Sequence, residues 1–318
     1  MKTIGIDISK MTFDVWTEDL GHAQFSNNKE GFKAFKKLLK QEDHCVMEAT
    51  GCYHFQLAEY LYNHGYKVSV ENPLVVKRFI QMKQQKVKTD KHDARMIMLY
   101  GNEQQPALWE PEPKFIEEGK LLMTLMQMYV KQQTQLKNKL DNLQSGGRTN
   151  GVMISSIKLQ LKRIGAELKK LESSLEGLLK EHAPEVLTNL RSIPGIGKKT
   201  AMLMMVTTNN FRDFTNAKQV TSYVGLAPVE RTSGSSIRGR SYISKKGDPM
   251  LRHHLFMCSF TACQNNPQCR ALYERLVAKG KSKKLALIAV CNKLIKQAYG
   301  VCKNNLVYDE NFRSKMVA

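Results

Sequence analysis

Ten residues, Lys86-Val87-Lys88-Thr89-Asp90-Lys91-His92-Asp93-Ala94-Arg95, set two carboxylates into a run that is otherwise basic. The residues that follow, Met96-Ile97-Met98-Leu99-Tyr100, read as helix. Residues three apart share a helix face, so a helix starting near Thr89 turns Asp90 and Asp93 the same way. Acids in a first turn also serve an ordinary purpose, meeting the helix dipole for roughly 0.3–1 kcal/mol. Two more isolated acids lift the pair above that reading. Asp7 stands inside the β-branched run 2–9, and Glu48 ends the apolar run 44–49. Burying a lone carboxylate is costly, so such a group usually has a partner; singly, each reads as a hydrogen-bonded strand-end acid. Together, Asp7, Glu48, Asp90 and Asp93 form a set spread over three elements. Four carboxylates repel and need cations. Oxygen ligands without Cys or His suit Mg²⁺ or Mn²⁺. Two such ions about 4 Å apart can hold the attacking and leaving oxygens of a phosphodiester. Lys83, Lys86, Lys88 and Lys91 surround the last pair and would hold phosphates nearby.

The elements that must position these acids follow from patterning. Residues 2–9 and 13–17 read as a strand hairpin, with 23–26 as a third strand. Asn27 or Asn28 caps a helix running to about Leu39, with Phe32, Phe35, Leu38 and Leu39 on one face. A buried strand at 44–49, a turn at Thr50-Gly51, a helix at 54–63 and a strand at 66–70 follow, closed by Asn72-Pro73. Three strands, then helix, strand, helix, strand, helix, make an α/β layered domain whose later strands run parallel. The C-terminal edge of such a sheet is where these folds place ligands.

Composition narrows the partners. The 318 residues suggest two domains, and a hydrophobic fraction of 42% excludes a disordered chain. A net charge of +20 and a pI near 9.6 point to a polyanion. No apolar run reaches the roughly 18 residues of a membrane span, and no signal peptide precedes the first strand. Nucleic acid, not a membrane, is therefore the expected partner. The seven cysteines are odd in number and lack paired spacing, which fits reduced thiols in a cytoplasm. Cys258, Cys263 and Cys269 lack the C-x-x-C spacing of a zinc site.

Pro106, Pro111 and Pro113 mark a linker. Beyond it Leu122, Leu125, Tyr129, Leu136, Leu140 and Leu143 recur at helical spacing, and the series from Ile154 through Leu161 and Leu168 to Leu178 forms a heptad seam. The loop at 145–151 separates two long helices, which either fold back as a hairpin or pair between subunits.

Residues 187–201 read as helix, tight turn, helix. Gly195 and Gly197 bring backbone N–H groups to a helix N-terminus with Lys198 and Lys199 behind them, which suits a phosphate. The stretch is similar to a helix-hairpin-helix, and its spacing is not that of a Walker loop. Further on, a Ser-Gly loop containing Ser233, Ser235 and Ser236 is flanked by Arg238, Arg240, Lys245, Lys246 and Arg252. A serine hydroxyl can attack phosphorus where cations neutralise the developing charge and a base or metal takes the proton. Spacing alone favours a phosphate-gripping loop with no covalent role. Tyr223, Tyr242, Arg252, His253 and His254 lack the spread of a tyrosine recombinase. The last helix, about 282–299, is amphipathic and basic and completes the core.

Gly5-Ile6-Asp7-Ile8-Ser9-Lys10, Met47-Glu48-Ala49-Thr50-Gly51 and Lys88-Thr89-Asp90-Lys91-His92-Asp93-Ala94 resemble, in order, the three signature blocks of one family. These are the Asp-Glu-Asp-Asp (DEDD) transposases of bacterial insertion sequences, akin to the Piv-type DNA invertases. Gly225-Leu226-Ala227-Pro228, Ser233-Gly234 and Ser244-Lys245-Lys246-Gly247-Asp248 resemble the family's second domain. The resemblance implies an α/β plus α chain: an RNase H-like, RuvC-type domain at 1–110, a helical coiled coil at 111–185, and a mostly helical transposase domain at 186–318. It implies that Asp7, Glu48, Asp90 and Asp93 hold a divalent ion and that a serine, matched here by Ser233, forms a covalent link to DNA. It also implies a structured guide RNA that chooses donor and target DNA, and a homo-oligomer, dimer or tetramer. The expectation is a cytoplasmic transposase or site-specific recombinase. Its rivals are a RuvC-like junction nuclease without a covalent intermediate and a non-catalytic nucleic-acid scaffold. The four acids argue against the scaffold, and the Ser-Gly loop, less strongly, against the nuclease.

Overall fold

The computed structural model describes residues 2–84, 89–147, 150–229, 232–233, 237–238 and 242–311, with backbone alone at 232, 233, 237 and 238. The chain divides into two compact units, Met1–Pro111 and Glu112–Ala318.

The first unit runs β1 (Thr3–Ile8), β2 (Thr12–Thr17), β3 (Gly21–Ser26), α1 (Lys29–Lys36), β4 (His44–Glu48), α2 (Phe55–Asn63), β5 (Lys67–Glu71), α3 (Pro73–Met82) and α4 (Asp90–Gln104). Its sheet has the order β3-β2-β1-β4-β5. The first three strands are antiparallel, and β1, β4 and β5 are parallel, as the patterning predicts. Alternation along the strands decides which side chain goes where. Ile4, Ile6, Ile8, Phe13, Val15, Cys45 and Met47 pack with Phe32, Phe35, Leu57 and Leu61 on one face. Each of these side chains contributes about 1.5–3 kcal/mol by leaving water. On the other face Val46 packs with Met96, Ile97 and Tyr100 of α4. Gly5 belongs to that second face. A Cβ there would overlap the Ala94 carbonyl and the Met98 backbone nitrogen, so glycine lets α4 lie directly on β1.

Asn28, not Asn27, caps α1, accepting from the Gly31 N–H. The helix stops at Lys36 rather than Leu39, because the next three N–H groups bond three residues back instead of four.

The second unit contains α5 (Lys114–Ser145), α6 (Gly151–His182), α7 (Pro184–Arg191), α8 (Lys198–Thr207), α9 (Ala217–Val224), α10 (Pro249–Asn265), α11 (Pro267–Ala278) and α12 (Lys283–Lys303). Two short ladders lie before α10: β6 (Pro228–Val229) pairs β9 (Tyr242–Ile243), and β7 (Thr232–Ser233) pairs β8 (Ile237–Arg238). Helices α5 and α6 fold back on each other, with Ile157, Ile164, Leu175 and Leu179 buried. The pair also joins the core of its unit. Leu122, Met123 and Met126 of α5, with Leu175 and Leu179 of α6, pack where Met204, Leu255 and Leu294 are buried.

By length and mean hydropathy α12 is apolar enough to cross a membrane, although Asn292, Lys293, Lys296 and Gln297 interrupt its apolar residues. A core helix passes the same test. Val290, Cys291, Leu294, Ile295 and Ala298 of α12 are buried in the interior of the second unit.

Candidate active site

Strand β1 carries Asp7 on the face toward α4, next to the parallel strand β4 that ends in Glu48. Helix α4 begins at Asp90, and the Thr89 hydroxyl caps it by accepting from the His92 N–H at 3.2 Å. Asp90 and Asp93 both stand in that first turn. The four acids meet electrostatically. Burial, then Asp93, Glu48, Asp90 and Asp14, push the Asp7 carboxyl up to about 7. Burial and then Asp93 raise Glu48 as well. Among the described residues no cationic side chain pairs with Asp7, Glu48 or Asp90. Lys83 binds Glu103 at 2.6 Å, and Lys86 and Lys88 lie outside the described residues.

Among the described residues no three His, Cys, Asp or Glu side chains stand at the spacing of a closed metal cage. Magnesium does not require one: it is usually held by one or two carboxylates, waters and substrate phosphate. A half-buried acid, Asp7, crowded by Asp93, Glu48 and Asp90, with oxygen donors alone, fits such an ion. The crowding has a measurable sign. Asp7 titrates near 7 in the folded, ion-free protein against an ordinary 3.8, so the folded state binds the extra proton between those values. Stability held by the protonated form is complete at low pH and is lost as pH rises through about 7. In EDTA, Asp7→Asn should therefore melt above the wild type at about pH 8, with the gap closing toward pH 5. Thermal melts at both pH values, with and without Mg²⁺, check this. Mg²⁺ should raise the wild-type midpoint and leave Asp7→Asn nearly unmoved.

Several residues at this site escaped the sequence reading. Asp14 lies opposite Asp7 in the β1–β2 register and is 4% exposed. His22 Nε2 donates to it at 2.6 Å, and Gln24 Nε2 donates to both carboxylate oxygens at 3.2 Å. Trp16 shares a strand face with Asp14, and the Lys91 ammonium and Arg95 guanidinium stand 5.6 and 5.7 Å from its ring centre. Such contacts are worth about 0.5–1 kcal/mol at exposed sites, enough to bias where two cations rest beside Asp90 and Asp93. Asn27 donates to the Ser9 carbonyl at 2.9 Å and the Tyr53 carbonyl at 3.2 Å, tying together the loops that follow β1 and β4. Strict alternation of Phe13 and Val15 against Asp14 and Trp16 was the signal for Asp14 and Trp16.

In the second unit Gly195 has φ +106°, and a Cβ there would press into Ala262 of α10. Gly197 is the extended N-cap of α8. Lys198 and Lys199 behind it are already engaged. Lys198 Nζ is 2.9 Å from Glu176 and 3.8 Å from Glu172, and Lys199 Nζ is 3.0 Å from Glu172. Partly exposed pairs of this kind are worth about 0–1 kcal/mol, so a phosphate can exchange for them. Arg252 Nη1 donates to the Val224 carbonyl at 2.8 Å and ties down the end of α9. Lys245 and Lys246 are exposed, and the Lys245 N–H bonds the Gly225 carbonyl at 3.1 Å. The backbone of Ser233 sits in β7 opposite Ile237, and that of Arg238 sits in β8. The Ser233 and Arg238 side chains lie outside what is described, as do Gly234, Ser235, Ser236 and Arg240.

Comparison with known proteins agrees with this architecture. Residues 4–145 match a DEDD-type transposase model, and residues 187–274 match that of the transposase IS116/IS110/IS902 family. Pilin gene-inverting proteins of Moraxella lacunata and Moraxella bovis are each 30% identical over 321 residues, covering 96% of this chain and 97% of theirs. A 43.6 kDa protein of insertion element IS110 from Streptomyces coelicolor is 28% identical over 164 residues, covering 52% of this chain and 40% of its own. Fold and similarity together define an enzyme that cleaves and joins DNA on an RNase H-like first unit. The chain belongs to the IS110 family of DEDD transposases and recombinases.

Proposed function

We propose that this recombinase cuts and rejoins DNA with Ser233 as nucleophile, while Asp7, Glu48, Asp90 and Asp93 hold Mg²⁺ or Mn²⁺. The observation that carries the reading is the crowding of Asp7 by the other three acids in a DNA-cleaving family. The Ser233 Oγ attacks phosphorus and loses its proton to a base. One phosphorus–oxygen bond of the DNA breaks as the serine ester forms, and the departing DNA oxygen takes up a proton. Attack by a DNA hydroxyl on that ester restores the phosphodiester and returns the serine, so no external energy source is consumed. Bound divalent ions would supply charge neutralisation at the reacting oxygens. The backbone N–H groups at Gly195 and Gly197, with Lys198, Lys199, Arg238, Arg240, Lys245 and Lys246, would grip phosphates around the break. Arg252 would take part through its remaining donors. Residues 1–110 act as the carboxylate domain, 111–185 as the helical spacer and 186–318 as the serine-bearing domain with a helix-hairpin-helix. The charge of +20 supports a second polyanion, an RNA from the same element that selects donor and target DNA in the cytoplasm. Recombination of a plasmid carrying both sites tests the metal requirement: activity should vanish in EDTA and return with Mg²⁺ or Mn²⁺. Full activity in EDTA contradicts it.

A homo-oligomer, dimer or tetramer, completes the proposal. Ile157, Ile164 and Leu175 of the α6 seam are buried in a chain where α6 folds back on α5, so a second copy would use another stripe. Leu121, Leu125 and Met128 recur on one face of α5 and are 67%, 36% and 52% exposed. Leu125→Asp with Met128→Asp should lower the mass seen by light scattering. Leu161→Asp, in the seam, should lower the melting temperature instead. An unchanged mass for the double variant removes the stripe as the interface.

A further inference from the structure

Helices α11 and α12 form a hairpin whose outer side holds an open groove of about 540 Å³. The sequence builds it from two matching helix faces. Positions 268, 271, 272 and 275 of α11 and 289, 292, 293 and 296 of α12 both follow the i, i+3, i+4, i+7 pattern of one face. Ala271 and Ala289 are too small to fill the space between the helices, and Leu272 gives it an apolar wall. Arg275, Lys293 and Lys296 stand along it, and among the described residues no carboxylate lines it or pairs with these three cations. Asn292 supplies the discriminating detail. Its amide nitrogen reaches the Leu226 carbonyl at 3.5 Å, while its Oδ1 is buried and bonded to nothing. A buried acceptor left without a hydrogen bond is unfavourable, so a donor brought to it is favoured.

We infer that this groove binds one unpaired nucleotide of a nucleic-acid strand. The cations take the flanking phosphates, Leu272 and the two alanines receive a face of the base, and Asn292 Oδ1 accepts from a base amino group or a sugar hydroxyl. A double helix presents its phosphates to such a groove but not a free base, so the site favours a single strand. The matched family block covers residues 187–274, so Gln268, Ala271 and Leu272 lie inside it, while Arg275, Ala289, Asn292, Lys293 and Lys296 lie beyond it. The inference rests on the chain's action on nucleic acid and not on the serine or the carboxylates.

The test uses the full chain and short fluorescein-labelled oligonucleotides: single-stranded DNA, single-stranded RNA and a DNA duplex, followed by anisotropy across a salt series. Lys293→Gln with Lys296→Gln should weaken at least one single strand five- to tenfold and flatten its log–log salt slope by about 1.4, two contacts at about 0.7 each. Ala271→Phe, which fills the groove from an exposed position, should weaken the same strand without changing the slope and leave duplex binding intact. Loss confined to RNA assigns the groove to a guide strand, and loss confined to DNA assigns it to an unpaired substrate strand; each supports the inference. Wild-type binding by both variants overturns it, as does an equal loss on duplex. Ser233→Ala should bind like the wild type here, so failure of the groove and failure of the serine reading are separable.

Discussion

Asp7→Asn should leave the chain folded and bound to DNA while lowering strand cleavage by roughly 10²–10³-fold, the scale seen when one preorganised charge-stabilising group is removed. Asparagine keeps the size and one oxygen of aspartate but removes its charge. Asp7 is the residue on which the other three acids act, raised first by burial and then by Asp93, Glu48 and Asp90. Its loss therefore removes the central negative charge that a divalent ion would neutralise. The same change relieves repulsion, so the variant should be at least as stable as the wild type without metal at neutral pH. That combination, a dead enzyme with an unharmed fold, separates a catalytic role from a structural one. Asp14→Asn gives a useful contrast, because Asp14 is already held by His22 and Gln24. Single-turnover cleavage in Mg²⁺ with a parallel melting curve reads both. A near-normal cleavage rate for Asp7→Asn would remove the carboxylates from the chemistry.

Ser233→Ala should abolish strand exchange, again by several orders of magnitude, with DNA affinity changed less than about twofold. Only one oxygen is lost, and neutral serine contributes little to phosphate binding beside so many cations. Nucleophilic catalysis depends wholly on that oxygen, since the covalent ester cannot form without it. Ser235→Ala and Ser236→Ala are the internal controls and should recombine normally. If one of them is dead while Ser233→Ala is active, the nucleophile is the neighbour. If all three are active, metal-dependent hydrolysis becomes the better account.

Much of the first unit was legible because strands and helices there alternate cleanly. The apolar run ending at Glu48 and the helix starting near Thr89 read directly from residue types. The pairing of Asp7 with Asp14 was not legible, because it depends on the register of a hairpin rather than on local pattern. Nor was the engagement of Lys198 and Lys199 by Glu172 and Glu176. Those acids lie on α6, more than twenty residues upstream, and read as ordinary heptad flanks. The heptad seam itself was visible, but whether it closes within the chain depends on tertiary packing. Within the chain α5 and α6 fold back on each other. Mean hydropathy along α12 also needed the surrounding helices before it could be told from a membrane segment.

The most direct test of the serine-and-carboxylate reading is a search for the covalent bond itself. Wild-type protein is incubated with its DNA substrate in Mg²⁺, denatured in SDS, digested with protease and nuclease, and analysed by mass spectrometry. The account predicts an SDS-resistant protein–DNA adduct whose nucleotide remnant sits on Ser233, and no adduct in EDTA. Cleaved DNA with free phosphate and hydroxyl ends, and no adduct at any time point, would contradict it.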